Sequence, residues 1–310
     1  MRILVTGASG FIGHELVAKL VLKEHDVYAL ERYVTGRYVL GGKSDCMKVY
    51  GDLRDHFSIR RLVKEIQPEI VFHLAAISAV SYSYDHPQEV VDANVLGTIN
   101  LAEACLREVP HFRHFLFAST SETYGNGPNP KTEETLQYPN SPYALSKLAA
   151  EKYLLYMRDA YDFPVTALRP FNTYGRKNNS HFVVERMVVQ MLQGQTVKLG
   201  DPDPVRDLLY VDDHVNAYLL CMGDKRAIGQ IFAFGSGIGV SIRDLADRVR
   251  MVTGFDGTVI WNTIPKRPLD IDVLIGSYTK AQQTLGWTPK VSLEEGLRRT
   301  VTHWKKQLSG

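Results

Sequence analysis

Tyr143 and Lys147, in the run YALSK, stand four residues apart. On a helix that spacing puts both side chains on one face, roughly 5 to 6 Å apart at their β-carbons. A lysine cation there favours ionisation of the phenol, and a tyrosinate is a usable general base towards a hydroxyl. Of the sixteen tyrosines, only this one has a lysine four residues on; amphipathic helices also produce such pairs by coincidence. A second reactive group runs Ser119-Thr120-Ser121-Glu122. Its hydroxyls can hydrogen-bond a reacting oxygen and its carboxylate can move a proton, although a polar turn that caps a helix uses the same residue types. A third stretch, TGASGFIG at 6–13, carries Gly7, Gly10 and Gly13.

The elements that must position these groups alternate along the chain. Apolar runs at 3–5, 27–31, 47–50, 70–74, 114–118 and 164–168 predict strands, several of them continuous Val, Ile, Leu or Phe as strands buried on both faces require. Helical patterns lie between them at about 11–23, 56–66, 88–108 and 142–160. The rhythm is βαβ, so the expected fold is α/β, a Rossmann-like doubly wound parallel sheet. YALSK then falls on the helix after the fifth strand, and the Ser119–Glu122 run falls at that strand's carboxyl exit, where ligands of such sheets bind. After residue 170 Pro, Gly and Asn become frequent and strands shorten, which predicts a smaller carboxy-terminal lobe. The expected division is 1–172 with about 206–235 for the sheet domain, and about 173–205 with 236–310 for the lobe. A helix is expected near 181–193.

In the first βα turn, glycines permit a tight turn, close approach of backbone to a pyrophosphate and close helix packing, while the helix amino terminus offers free N–H groups. A mere connecting turn would use glycine too. A P-loop is excluded because no Gly-Lys-Ser/Thr follows. At the end of the second strand, Glu31 suits an adenosine ribose and Arg32 would welcome a 2′-phosphate; the position of Glu31 favours NAD, with NADP the alternative. Asp52 could contact adenine, or cap the helix at 56–66.

Composition narrows the class. Hydrophobic residues make up 45% and charged residues 23%, with a net charge of +2, so no basic stripe argues for nucleic acid. Apolar runs are too short for a membrane span, no signal peptide is evident, and Cys46, Cys105 and Cys221 are too few and too scattered for a disulfide framework or zinc site. A cytoplasmic protein without a metal is expected. His111 and His114, entering the fifth strand at its far edge, are expected to be solvated.

TGASGFIG, HLAA at 73–76, STSETYG, YALSK and RPFNTYG together resemble the extended short-chain dehydrogenases that modify nucleotide-diphosphate sugars, over essentially the whole chain. The resemblance implies that Tyr143 is the base for oxidation at carbon 4, Lys147 its electrostatic partner and a nicotinamide ribose ligand, and Thr120 the hydroxyl that holds the 4-oxygen. It places Gly7, Gly10, Phe11, Ile12, Gly13, Glu31, Arg32, Asp52, Leu53, Leu74, Ala75, Ala76, Tyr143 and Lys147 around the dinucleotide, and Ser78, Asn172, Arg206 and Arg267 around the substrate. The Thr120-x-Glu122 pattern is similar to that of 4,6-dehydratases, in which the glutamate removes the carbon-5 proton. Ser121 stands where the thymidine-diphosphate glucose enzymes have an aspartate, and is similar to the GDP-mannose and UDP-N-acetylglucosamine types. The resemblance therefore implies a 4,6-dehydratase first, with a 4-epimerase or 4-ketosugar reductase as alternative. A UDP-glucuronate decarboxylase or an idle dinucleotide sensor comes behind them. It also implies a homodimer through helices near 90–108 and 142–160.

Overall fold

The computed structural model describes residues 1–32, 46–194 and 196–309. In chain order the first half runs β1 (Arg2–Thr6), α1 (Phe11–Leu22), β2 (Asp26–Glu31), β3 (Met47–Tyr50), α2 (His56–Ile66), β4 (Ile70–His73), α3 (Val80–Asp85), α4 (Pro87–Val91), α5 (Gly97–Glu108), β5 (His114–Ala118), α6 (Pro142–Tyr161) and β6 (Val165–Pro170). Beyond them lie β7 (Asn172–Tyr174), α7 (Val183–Gln193), β8 (Thr196–Lys198), β9 (Val205–Tyr210), α8 (Val211–Cys221), β10 (Ile231–Phe234), β11 (Gly239–Ser241), α9 (Ile242–Thr253), β12 (Thr258–Ile260), β13 (Val273–Leu274), α10 (Thr279–Leu285) and α11 (Leu293–Ser309).

The large sheet has seven strands in the order β10-β6-β5-β4-β1-β2-β3, and every pairing in it is parallel. Its strands are apolar on both faces because helices cover both. Ile3 and Val5 of β1 join α1 and α8 in one core, whereas Leu4 faces a second core with Ile59, Leu101 and Leu154 from α2, α5 and α6. Burying each such side chain stabilises by about 1.5–3 kcal/mol, so the period-2 alternation fixes the register of β1 against both neighbours.

The smaller lobe holds a sheet in the order β11-β9-β13, with β7 also paired to β9, and a separate β12-β8 pair. Val205–Tyr210 pairs within the lobe, and the return to the large sheet is made by α8 and β10. Among the described residues no helix is long and apolar enough to cross a membrane.

Two expectations are corrected. The single helix expected over 88–108 is broken by one π-helical turn at Asp92–Leu96, which turns the buried Asn94 side chain towards the loop after β4; such bulges recur at functional sites. His114 is not solvated: it opens β5 fully buried. Its Nδ1 accepts from the Gly223 N–H at 3.0 Å and its Nε2 meets Thr166 Oγ1 at 2.7 Å. Burial pushes its pKa down to about 4, so it stays neutral. His111 is exposed.

Candidate active site

The β1–α1 turn is a backbone cradle. Gly7 has φ +68°, in the left-handed region, and a β-carbon there would lie 2.8 Å from the Ala75 nitrogen. At Gly13 a β-carbon would lie 2.1 Å from the Gly7 carbonyl oxygen. Gly10 is the N-cap of α1 and supplies no side-chain cap, so the first N–H groups, from Phe11 and Ile12 onwards, are left for an anion. Glu31 ends β2 at 6% exposure, with Arg32 exposed beside it. Asp52 does not cap α2. Asp55 does, accepting from the Ser58 N–H at 3.1 Å, while Asp52 is gripped by Arg54 at 2.6 and 3.0 Å, which holds its carboxyl below the usual range.

Residues that the sequence motifs left unnamed fix this edge of the sheet. Thr98 Oγ1 donates to the Asn94 carbonyl at 2.6 Å, so its remaining partner, His73 Nε2 at 2.8 Å, is the donor. His73 Nδ1 then accepts from Thr6 Oγ1 at 2.8 Å, and Thr6 Oγ1 accepts from the Ala75 N–H at 3.1 Å. Burial is the main cause that pushes the His73 pKa down to about 3, with Lys147 adding to it, and the neutral ring matches the relay. The relay sets the course of Leu74, Ala75 and Ala76 against the cradle. Leu53, on the other side, gives its carbonyl to Asn100 Nδ2 at 2.9 Å and packs against Gly97. Asn94 accepts from the Ile77 N–H at 2.8 Å and donates to Ser146 Oγ at 3.0 Å, tying the β4 exit to α6. An asparagine in the middle of a helical pattern was the one signal of this in the sequence.

The α6 helix begins with Ser141, whose Oγ accepts from the Ala144 N–H at 3.1 Å, followed by Pro142 at a position where its missing N–H costs nothing. Tyr143 therefore sits in the first turn, half-buried beside the β5 exit. Burial pushes its pKa up to about 12; a hydrogen-bonding interaction with Thr120 opposes this and Glu122 adds to it. Lys147 lies one turn further in, 1% exposed, with Nζ 4.1 Å from the centre of the Phe117 ring and no hydrogen-bond acceptor among the described residues. Burial pushes its pKa down to about 7, and Glu151 opposes the shift. A buried ammonium without a partner is costly, and a ligand hydroxyl at Nζ would remove that cost. The glycine cradle and this orphaned amine, at two places along one sheet edge, fit a dinucleotide.

Thr120 caps a short turn at Ser121–Tyr124, its Oγ1 accepting from the Glu122 N–H at 3.2 Å, and Ser121 is buried. Burial raises the Glu122 carboxyl, Arg206 and Arg267 pull it back, and Asp270 raises it further. The structure thus brings Thr120, Glu122, Tyr143 and the two arginines to one place. Ser119 Oγ is engaged away from these groups, donating to Glu151 at 2.6 Å. Glu151 also receives Arg169 Nε at 3.0 Å, and both members of this ion pair are buried. Arg206 pairs with Asp270 at 3.2 Å; Asp270 was not singled out in the sequence. Arg267 is exposed, as is Ser78. Asn172 keeps a buried Oδ1 with no partner.

The family model described as GDP-mannose 4,6 dehydratase matches residues 4–300. A UDP-glucose 4-epimerase of Mycolicibacterium smegmatis is 35% identical over 99% of this chain and 99% of its own. Among solved structures, the UDP-glucose 4-epimerase of Thermotoga maritima with UDP-glucose superposes with a TM-score of 0.92 at 34% identity, over 99% of this chain and 100% of that one. The UDP-glucose 4-epimerase of Thermus thermophilus in complex with NAD gives 0.90 at 33%, over 98% and 99%. Matches of that extent, over the whole sheet, cradle and lobe, make this chain a member of the NAD(P)-dependent epimerase and dehydratase family of extended short-chain dehydrogenases.

Proposed function

We propose that this protein is a nucleotide-sugar 4-epimerase. The observation that carries the reading is the Tyr143, Thr120 and Lys147 constellation at the sheet edge, and the 4-epimerase relatives support it better than the 4,6-dehydratase that the Thr-x-Glu pattern led us to expect. Tyr143, as phenolate, takes the proton of the sugar's 4-hydroxyl. Lys147, charged, stabilises that phenolate, and Thr120 donates to the 4-oxygen. NAD or NADP held by the glycine cradle and Lys147 would supply reversible hydride chemistry at carbon 4. Tyr143 then gives its proton back to the 4-oxygen, so atoms and electrons balance over the cycle. Inversion at carbon 4 would require the oxidised sugar to turn while its diphosphate stays held. Arg206 and Arg267 are the cations for that hold, and guanidinium forks suit it.

Glu122 favours a second reading. A carboxyl with a raised pKa beside the base suits removal of a carbon-5 proton, which is the dehydratase reaction. Incubation with UDP-, GDP-, TDP- and CDP-hexoses, with product mass and proton NMR as readouts, decides. Unchanged mass with inversion at carbon 4 is expected. Loss of one water transfers the assignment to the dehydratase, and a protein that holds nicotinamide but turns over none of them is the sensor. The homodimer belongs to the proposal too, through Val91 and Leu96 near α4–α5 and Leu145 and Tyr156 of α6, all exposed; a monomeric mass by sedimentation removes it.

A further inference from the structure

The chain between the two catalytic motifs, residues 125–141, grips the substrate lobe with asparagine side chains. Asn126 Nδ2 donates to the Asp270 carbonyl at 3.0 Å, while its Oδ1 accepts from the Asp272 N–H at 2.9 Å. Asn129 repeats the pattern, donating to the Val273 carbonyl at 3.1 Å and accepting from the Ile275 N–H at 3.0 Å. Each amide makes the two bonds, to residues i and i+2, that a neighbouring β-strand residue would make with its backbone. Lys131 continues the ladder with backbone groups, its N–H to Ile275 at 2.7 Å and its carbonyl to the Ser277 N–H at 2.8 Å. Just before Tyr143, Asn140 Nδ2 donates to the Leu269 carbonyl at 2.9 Å.

The same segment, 269–277, pairs on its other edge with β9, Val273 opposite Val205 and Leu274 opposite Arg206. It carries Asp270, the partner of Arg206, and follows directly on Arg267. The asparagines read only backbone, so they fix where the segment lies whatever side chains it bears. Their own positions are set by the motifs at each end, Glu122 before Asn126 and Tyr143 after Asn140.

We propose that Asn126, Asn129 and Asn140 are positioning residues for the nucleotide sugar, a clamp that holds the diphosphate-binding arginines at a fixed offset from Glu122 and Tyr143. The proposal rests on the nucleotide-sugar reading above, since only then do the arginines meet a diphosphate.

The test compares wild type with N126A/N129A and with N140A by three readouts. Amide hydrogen exchange, measured on the protein alone, is expected to speed up about tenfold or more at Asp272 and Ile275 in N126A/N129A, as loss of about one net hydrogen bond each implies. Calorimetry with UDP, GDP, TDP and CDP as probes is expected to show about tenfold weaker binding in both variants, while NAD affinity stays within about twofold. In turnover, KM rises and kcat holds. Faster exchange with unchanged diphosphate affinity overturns the clamp as a recognition device, and so does an equal loss of NAD affinity, which means general loosening. Unchanged exchange overturns the ladder itself. A wild-type protein that binds none of UDP, GDP, TDP and CDP sinks the nucleotide-sugar reading, and the exchange data separate that result from failure of the clamp alone.

Discussion

The two sides of this site are built by opposite means. The proposed cofactor side centres on one turn, in which Gly7, Gly10 and Gly13 act through the absence of side chains and their nearest neighbours are each other and Ala75. The proposed substrate side is assembled from side chains that meet across the chain, Arg206 with a partner 64 residues away and Asn126 with partners 144 and 146 away. A local backbone site shows as a motif and tolerates little change. A long-range side-chain site shows no motif and can be retuned one residue at a time.

The largest expected effect falls where the two sides meet. Tyr143→Phe removes the proton acceptor and leaves both binding sites intact, so kcat drops by about 10²–10⁴ with NAD and UDP affinities preserved. Stopped-flow reduction of bound NAD is the check. A variant that loses either affinity along with kcat would show that the phenol belongs to one side and not to the junction.

Arg169 offers a second break in the contrast, because its pairing with Glu151 joins β6 to α6, with Tyr124 Oη accepting from Arg169 at 3.1 Å. Arg169→Met leaves Glu151 buried and uncompensated, and we expect a loss of about 3–5 kcal/mol in urea unfolding. The double change Glu151→Met with Arg169→Met should recover most of it, since removing both charges removes the desolvation penalty. If the single and double variants are equally unstable, the pair is ordinary packing.

The same contrast explains what the sequence disclosed. Strands β1 to β6 and helices α1, α2 and α6 were legible within a residue or two, since continuous apolar runs and clear 3.6-residue stripes leave little choice. The cradle, Tyr143, Lys147 and Glu122 were legible as motifs. His114 was misread because its position at a strand's far edge says nothing of Thr166 and Gly223, which satisfy it from distant segments. Asp270 and the asparagine clamp were invisible for the same reason, as their partners lie 64 to 146 residues away and contacts over such separations leave no periodicity, while Asn94 showed only as an asparagine within a helical pattern. The break in the helix at Asp92–Leu96 was hidden because a π turn keeps the helical composition.

Gly13→Ala sharpens the local side of the comparison. The added methyl meets the Gly7 oxygen at 2.1 Å and the Ala8 Cα at 2.8 Å, both backbone atoms that cannot swing away. A destabilisation of about 1–3 kcal/mol is expected from the overpacking, with nicotinamide affinity lost and UDP affinity retained. Retention of NAD by this variant would mean that the cradle is more compliant than its glycines suggest.

The smallest effect is also the most specific, and it concerns Lys147. Its folded-state pKa, about 7, lies below its ordinary 10.5 because burial disfavours the cation. Between those values the unfolded chain holds a proton that the folded chain does not, so the residue's contribution to stability is full above 10.5 and is lost as pH falls through about 7. Lys147→Met should therefore melt higher than wild type near pH 6 in the absence of cofactor, and the gap should shrink steadily towards pH 10. Glu122 works with the opposite sign, its raised carboxyl contributing most at low pH and less as pH rises through its folded-state pKa. Glu122→Gln in both backgrounds cancels that contribution. Saturating NAD should narrow the gap at pH 6, since a ribose hydroxyl at Nζ gives the buried cation the acceptor it lacks in the free chain. If NAD stabilises wild type and Lys147→Met equally at pH 6, the amine does not meet the ribose, and the cofactor side of the site is the glycine cradle alone.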